Sequence, residues 1–268
     1  MRRTLHAIPG QPIDRRAREK TKAMKTEKLS DTIIIINADC REWSGNADAV
    51  ISDPPYGIDW DTDYRRFSSG FDVPRTNHTP IANDATPFDP TPWLGFKTVV
   101  LFGATCYSER LPVGSWLVWD KRFANGKAFL ADGEAAWMNK GHGLYIYSET
   151  AQGFVRKEPI EHPTQKPVGV MTWCMNKAAV PEGAIVLDPY MGSGTTGIAC
   201  IRTGRRFIGI EIDEQHYQTA RQRLLNELAQ TNLFRQDKDA RAGQGECPGT
   251  ACNSASPKAA QESLELGL

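Results

Sequence analysis

A four-residue aliphatic run, A-I-V-L at 184–187, passes without a break into D-P-Y-M-G-S-G-T-T-G at 188–197 and then into the helical pattern I-A-C-I-R. A strand, a glycine-rich turn and a helix in direct succession form the repeating unit of an open α/β sheet. There the turn beyond the strand's carboxyl end lets backbone come close to a ligand. Further short apolar runs at 32–37, 47–52, 98–103, 115–119 and 206–210 supply the other strands. They are rich in β-branched and aliphatic residues, the pattern of strands covered on both faces. The fold expected is α/β and Rossmann-like, a mostly parallel twisted sheet with helices on both faces.

Acidic residues stand at or just past four of these strands: Asp39, Asp53, Asp188 and Glu211. Asp53 opens the stretch Asp53-Pro54-Pro55-Tyr56. Two successive prolines fix φ and bring no N–H, so their carbonyls remain acceptors without a competing donor beside them. The stretch offers acceptors and a stacking face. It suits a planar amino group on a ring, with one hydrogen given to Asp53, the other to the Pro54 carbonyl, and the ring laid on Tyr56. The same residues also suit a proline turn that merely closes a strand.

Gly192, Gly194 and Gly197 satisfy G-x-G-x-x-G, and Glu211 follows at the distance of a ribose-binding acid, so a nicotinamide enzyme is a competing reading. Asp188-Pro189 argues against it, because a carboxylate there repels a pyrophosphate. It suits instead the ammonium group of a cofactor that carries an amino acid. A P-loop lacks its lysine here.

With 32 Lys+Arg against 32 Asp+Glu, the chain of 268 residues has no global attraction for nucleic acid. Contact with phosphate must come from local groups: Arg65 and Arg66 in a long irregular loop at 59–92, and Lys121, Arg122, Lys127 and Lys140 in a segment at 121–160. The six cysteines are scattered with no tight pair, which fits a reducing, cytoplasmic setting and no metal site. The longest aliphatic run, Ile33–Ile36, is too short to span a membrane. Residues 1–29 read as a basic flexible arm, 30–234 as the catalytic domain and 235–268 as a disordered tail.

Taken together, Asp53–Tyr56, H-P-T-Q-K-P at 162–167, and Asp188–Thr196 with Glu211 resemble the DNA amino-methyltransferases that use S-adenosylmethionine, in the permuted order called the β class. The resemblance covers Ile33 to Phe234. It implies a methyltransferase fold with permuted motifs, S-adenosylmethionine as cofactor, and a double-stranded DNA substrate whose target base is flipped out. Asp53, Pro54, Pro55 and Tyr56 would be catalytic, with Asp53 also bordering the cofactor. Asp188, Tyr190, Gly192, Ser193, Gly194, Thr195 and Thr196 would shape the methionine pocket. Glu211 and Ile212 would hold the ribose, Asp39 and Cys40 would lie at the adenine, and Thr164, Gln165 and Lys166 near the carboxylate end. In the family an acidic first residue goes mostly with adenine, so Asp53 implies N6-adenine methylation; N4-cytosine is the alternative and a nicotinamide oxidoreductase a more distant one. The recognition segment at 121–160 is short, so the loop at 59–92 would share DNA contact, and a homodimer on a near-palindromic site is expected.

Overall fold

Among the described residues, nine short strands lie in one sheet in the order β1-β2-β9-β8-β3-β4-β6-β5-β7. They are β1 (Lys25–Lys28), β2 (Ile33–Asn37), β3 (Ala49–Ser52), β4 (Thr98–Phe102), β5 (Ser115–Asp120), β6 (Gly133–Met138), β7 (Leu144–Ser148), β8 (Ile185–Asp188) and β9 (Arg206–Glu211). The α-helices are α1 (Val168–Lys177), α2 (Thr195–Arg202) and α3 (Glu214–Ala242). This is a computed structural model, and it describes residues 24–59, 84–122, 131–149 and 165–242, with side chains to 231. Contacts divide the chain into two compact units, Met1–Thr231 and Asn232–Leu268. Sheet and site belong to the first; in the second, residues 232–242 are helical.

The strands β2, β9, β8, β3 and β4 run parallel, while β1 and β6 are antiparallel to their neighbours. Period-two alternation sends Ile33, Ile35, Ile51, Val100, Phe102 and Val186 to one face, where they pack with Val170, Met171, Ile198, Tyr217 and Leu224 of the three α-helices. Ile36, Val50, Val99, Leu101, Leu187 and Ile210 line the other face. There the cover is short 3₁₀ turns and an aromatic layer of Phe88, Trp93 and Tyr107. Among the described residues, the cover on the two faces is thus three α-helices on one side and 3₁₀ turns on the other. Each fully buried aliphatic side chain contributes about 1.5–3 kcal/mol, so losing either layer would be decisive for stability.

Chain order turns back between β8 and β3: β8 is followed by β9 on one side, and β3 by β4 on the other. The carboxyl ends of β8 and β3 therefore open a crevice at a topological switch point, where α/β sheets bind ligands.

Two expectations are corrected, and one segment is given its structure. The basic arm at 1–29 contributes a strand: Lys25–Lys28 pairs with the free edge of β2. Glu27 there binds Arg221 of α3 at 2.7 Å and accepts from the Tyr217 hydroxyl at 3.1 Å. A polar K-T-E-K carries no strand pattern; the unpaired edge of β2 supplies the order. Disorder from 235 gives way to helix through Ala242, because 235–242 contains strong helix formers and the first glycine after α3 begins is Gly243. The basic segment at 121–160 contains β6 and β7, so its described part is largely sheet. Among the described residues no helix is long and apolar enough to cross a membrane, and the described cysteines 40, 106, 174 and 200 are free thiols.

Candidate active site

β3 ends on Ser52, whose hydroxyl donates to Asp188 Oδ1 at 2.5 Å, and the chain then turns through Asp53-Pro54-Pro55-Tyr56. Gly57, at φ 74°, donates its N–H to the buried Asp84 carboxylate at 2.8 Å, which anchors the far side of the turn. Tyr56 folds back so that its hydroxyl donates to Asp53 Oδ1 at 2.8 Å. Its ring rests on Gly103 at the end of β4, where a Cβ would strike it and where φ is 68°. The catalytic candidates are thereby brought together and held from three directions.

Lys166, just before α1, lies 2.5 Å from Asp53 Oδ2 and 2.9 Å from Glu134 Oε2, and Lys121 lies 2.8 Å from Glu134 Oε1. Burial and the Glu134 carboxylate raise the pKa of Asp53 against the pull of Lys166. Burial also pushes Glu134 up, but Lys166 and Lys121 outweigh it and hold its carboxyl at about 2. For Lys166 the two carboxylates overcome the cost of burial and keep it charged. Tyr56 is raised well above its ordinary value by burial and by both acids, so it stays protonated and donates. A carboxylate has about four lone-pair sites, so with Tyr56 and Lys166 bound Asp53 can still accept an amino hydrogen.

The second half of the site lies across the Ser52 to Asp188 bond. Asp188 Oδ1 accepts also from the Tyr190 N–H at 3.2 Å and Oδ2 accepts from Thr196 Oγ1 at 2.6 Å. Burial raises this carboxyl to about 6 against those bonds. Both oxygens serve the protein interior, so Asp188 ties β3, β8 and α2 together rather than standing free in the crevice. Glu211 Oε2 accepts from the Gly192 N–H at 3.0 Å and Oε1 from the Asp213 N–H at 2.9 Å. Gly192 has φ 50° and open space where a Cβ would stand. Gly194 differs: at φ 80° its Cβ would press on Ala220 of α3 at 3.1 Å. The open space beside the turn thus lies at Gly192, while Gly194 gives the turn its left-handed entry into α2.

The other candidates divide. Ser193, Thr195 and Thr196 are buried in the turn, and Arg223 of α3 donates to the Ser193 carbonyl at 2.5 Å. Tyr190 packs edge-on against Phe88 and Trp93, with ring centroids 5.8 and 6.1 Å away. Asp39 caps a 3₁₀ turn and pairs with Arg41, Cys40 is buried behind it, and Ile212 is exposed. Gln165 is buried. Lys166 is turned onto Asp53 and Glu134, whose two partly buried carboxylates hold its ammonium. Lys121 is likewise committed to Glu134, and Lys140 donates to the Ala178 carbonyl beyond α1 at 2.7 Å, a helix-end interaction rather than a phosphate contact. Arg122 is half exposed and pairs with Asp120 at 2.9 Å. Arg65, Arg66, Lys127 and Thr164 lie outside the described residues.

Sequence reasoning missed Glu134 and Arg223. Glu134 sits in G-E-A-A-W-M, where an acid inside an apolar run flanked by basic residues was the available signal. Arg223 is one of several polar residues on α3 and carried none.

Residues 118–222 match the family model described as DNA methylase, of the N6/N4 methyltransferase type. The type II methyltransferase M2.DpnII of Streptococcus pneumoniae is 46% identical over 70 residues, 26% of this chain and 26% of that protein. M2.LlaDCHI of Lactococcus lactis subsp. cremoris is 42% identical over 64 residues, 24% of this chain and 23% of that protein. The matches therefore span about a quarter of each relative's length. The solved M1.HpyAVI–SAM complex is similar at 25% identity over 72% of this chain and 100% of that chain, but its TM-score of 0.42 is too low to add to the argument. The matched segment runs from β5 through the glycine turn into α3, and over these residues the chain is similar to the DNA methylase family of the N6-adenine/N4-cytosine type.

Proposed function

We propose that this protein transfers a methyl group from S-adenosylmethionine to the exocyclic N6 of an adenine flipped out of double-stranded DNA. The observation that carries the reading is the bond from Ser52 to Asp188, which sets Asp53 beside the glycine turn in a chain whose residues 118–222 match the DNA methylase model.

The residues fit the cofactor. Gly192 offers backbone to open space beside the buried Glu211 carboxylate, and Asn37, at the end of neighbouring β2, holds a buried Oδ1 with no hydrogen-bond partner. Glu211 and Asn37 would take the ribose side, Asp39 the adenine, and Gly192 with Ser193 the methionine portion. When bound, S-adenosylmethionine supplies a methyl group on a sulfonium, and the pair of the breaking C–S bond stays on sulfur. Asp53 and the Pro54 carbonyl accept the two amino hydrogens, which turns the nitrogen lone pair out of conjugation and toward the methyl carbon. The nitrogen gains the N–C bond and sheds one proton, which Asp53 takes as the acceptor already bonded to it. Tyr56 stacks on the base and orients Asp53 through its hydroxyl. A base inside a duplex cannot reach this turn, so the target is extruded.

Adenine is favoured over cytosine by the acidic first residue of the catalytic turn. Arg65, Arg66 and Lys127 are the proposed phosphate contacts, together with Arg122, and a cytoplasmic homodimer is the proposed assembly because one short recognition segment offers few base-reading groups. Light scattering of the free and DNA-bound protein tests the dimer. Modified-base sequencing of host DNA with and without this protein tests the function: a sequence-specific set of N6-methyladenines present only with the protein is expected, and unchanged DNA contradicts the proposal.

A further inference from the structure

The charges behind Asp53 close on Glu134. Lys166 is shared between Asp53 and Glu134 at 2.5 and 2.9 Å, Lys121 holds the other oxygen of Glu134 at 2.8 Å, and the Tyr56 hydroxyl lies 3.5 Å from Glu134 Oε2. Two carboxylates and two ammonium groups sum to zero charge. Glu134 also borders a cavity of about 270 Å³ together with Tyr56, Gly103, Thr105 and Gly133. It therefore touches both the space beside the tyrosine ring and the cation that competes for Asp53.

That competition has a physical consequence. Lys166 with Asp53 as its sole anion would be drawn wholly onto it, because a buried ammonium lacks water as an alternative partner. Further ammonium hydrogens would then turn onto Asp53 and compete with an incoming amino group for its remaining lone-pair sites. Glu134 pulls Lys166 from the opposite side, and Lys121 keeps Glu134 ionised.

We propose that Glu134 is a positioning residue for methyl transfer: by sharing Lys166 it leaves Asp53 open to the target amine. This rests on the methyl-transfer reading above and adds to it a residue that belongs to neither the catalytic turn nor the glycine turn. A purely structural Glu134 would stabilise the buried lysine and leave kcat of the folded variant where it is. A positioning Glu134 sets it. The groups facing Asp53 are Lys166 before α1, Glu134 on β6, Tyr56 on its own turn, Tyr107 after β4 and Asp188 at the end of β8, with Lys121 behind Glu134. Of these Glu134 is the removable anion that does not also hold the glycine turn, and its charge raises the pKa of Asp53.

The test uses the full chain with Glu134→Gln and Glu134→Asp. The affinity of Glu134→Gln for S-adenosylmethionine, measured by calorimetry, should stay within about twofold, while kcat on unmethylated duplex falls about a hundredfold with little change in KM, the scale of a lost alignment. Glu134→Asp, which keeps the charge, should recover about tenfold of that loss. Independently of activity, carbon NMR of aspartate labelled at Cγ, with Asp53→Asn to assign the signal, should show the Asp53 titration moved to lower pH by about one unit in Glu134→Gln. A folded Glu134→Gln with kcat near wild type, or with the Asp53 titration unmoved, overturns the proposal. If wild type methylates no DNA, the methyl-transfer reading fails and the NMR titration alone decides the role of Glu134. If Glu134→Gln does not fold, Lys121→Met replaces it: freeing Glu134 to draw Lys166 away should move the Asp53 titration upward, and no movement overturns the proposal.

Discussion

Ser52 Oγ donates to Asp188 Oδ1 across 2.5 Å, and that one buried bond joins the strand that ends in Asp-Pro-Pro-Tyr to the strand that ends in the glycine turn. The two motifs are 135 positions apart from Asp53 to Asp188 in the sequence, yet neighbours in the sheet. Ser52→Ala leaves Asp188 with the Tyr190 N–H and Thr196. It should destabilise the protein by about 1.5–3 kcal/mol, the usual value for a hydrogen bond to a charged group. Urea unfolding measures this; a change below about 0.5 kcal/mol, the range of ordinary surface substitutions, would mean the bond does not matter.

Asp188 also sets a pH dependence. Its folded pKa of about 6 lies above the ordinary 3.8, so the native state favours the neutral form. The stability this gives is complete below pH 3.8 and is lost as pH rises through 6. It amounts to roughly 3 kcal/mol. Asp188→Asn cannot titrate. Wild type should therefore gain on Asp188→Asn by about that amount between pH 7 and pH 4, and a stability difference that stays constant over this range would refute the shift. Glu134 acts in the opposite sense and in a more acid window: its stability is present above pH 4.5 and lost as pH falls toward 2.

The two turn glycines should fail differently. Gly194→Ala puts a Cβ against Ala220 at φ 80°, so it should lower stability by about 1–2 kcal/mol, the cost of a left-handed alanine, with a modest effect on cofactor affinity. Gly192→Ala puts its Cβ into the open space beside Glu211 and should weaken S-adenosylmethionine binding by about tenfold or more. Thermal unfolding and calorimetry on both variants separate the effects. Equal losses of affinity would contradict a close approach of the cofactor at Gly192.

How far this arrangement can be read from the sequence follows from the physics of each part. The parallel core strands are legible because burial on both faces demands continuous β-branched runs, and Asp53–Tyr56 because its acceptors and aromatic ring stand in order with the later glycine turn. β1 is not, since K-T-E-K takes its order from the edge of β2 rather than from its own side chains. Nor is β6, whose G-E-A-A-W-M carries a charge where a strand pattern wants an apolar residue, and that charge is the one facing Lys166. The roles of Lys121, Lys140 and Lys166 are hidden for the same reason. Sequence shows a cation but not the anion or carbonyl that folding brings to it, and here each is held by a group 12 or more positions away: Glu134, Ala178 and Asp53.

Arg65 and Arg66 have a salt-dependent test. Replacing Arg65 and Arg66 by alanine should weaken DNA binding and reduce the slope of log K against log salt by about two, one per lost phosphate contact. Fluorescence anisotropy over a range of salt concentrations measures it, and an unaltered slope would show that these side chains do not reach the backbone.

The central claim, that Asp53 receives the amine to be methylated while the cofactor is held elsewhere, is tested most directly by transfer of tritium from methyl-labelled S-adenosylmethionine to unmethylated duplex DNA, followed by digestion to nucleosides. Wild type should place the label in N6-methyldeoxyadenosine, and Asp53→Ala should lose about a thousandfold in rate, the upper range for one transition-state hydrogen-bonding group, with calorimetric cofactor affinity nearly intact. Label found in N4-methyldeoxycytidine would move the same chemistry to cytosine. Asp53→Ala activity within about tenfold of wild type, or loss of cofactor binding in place of transfer, would contradict the account.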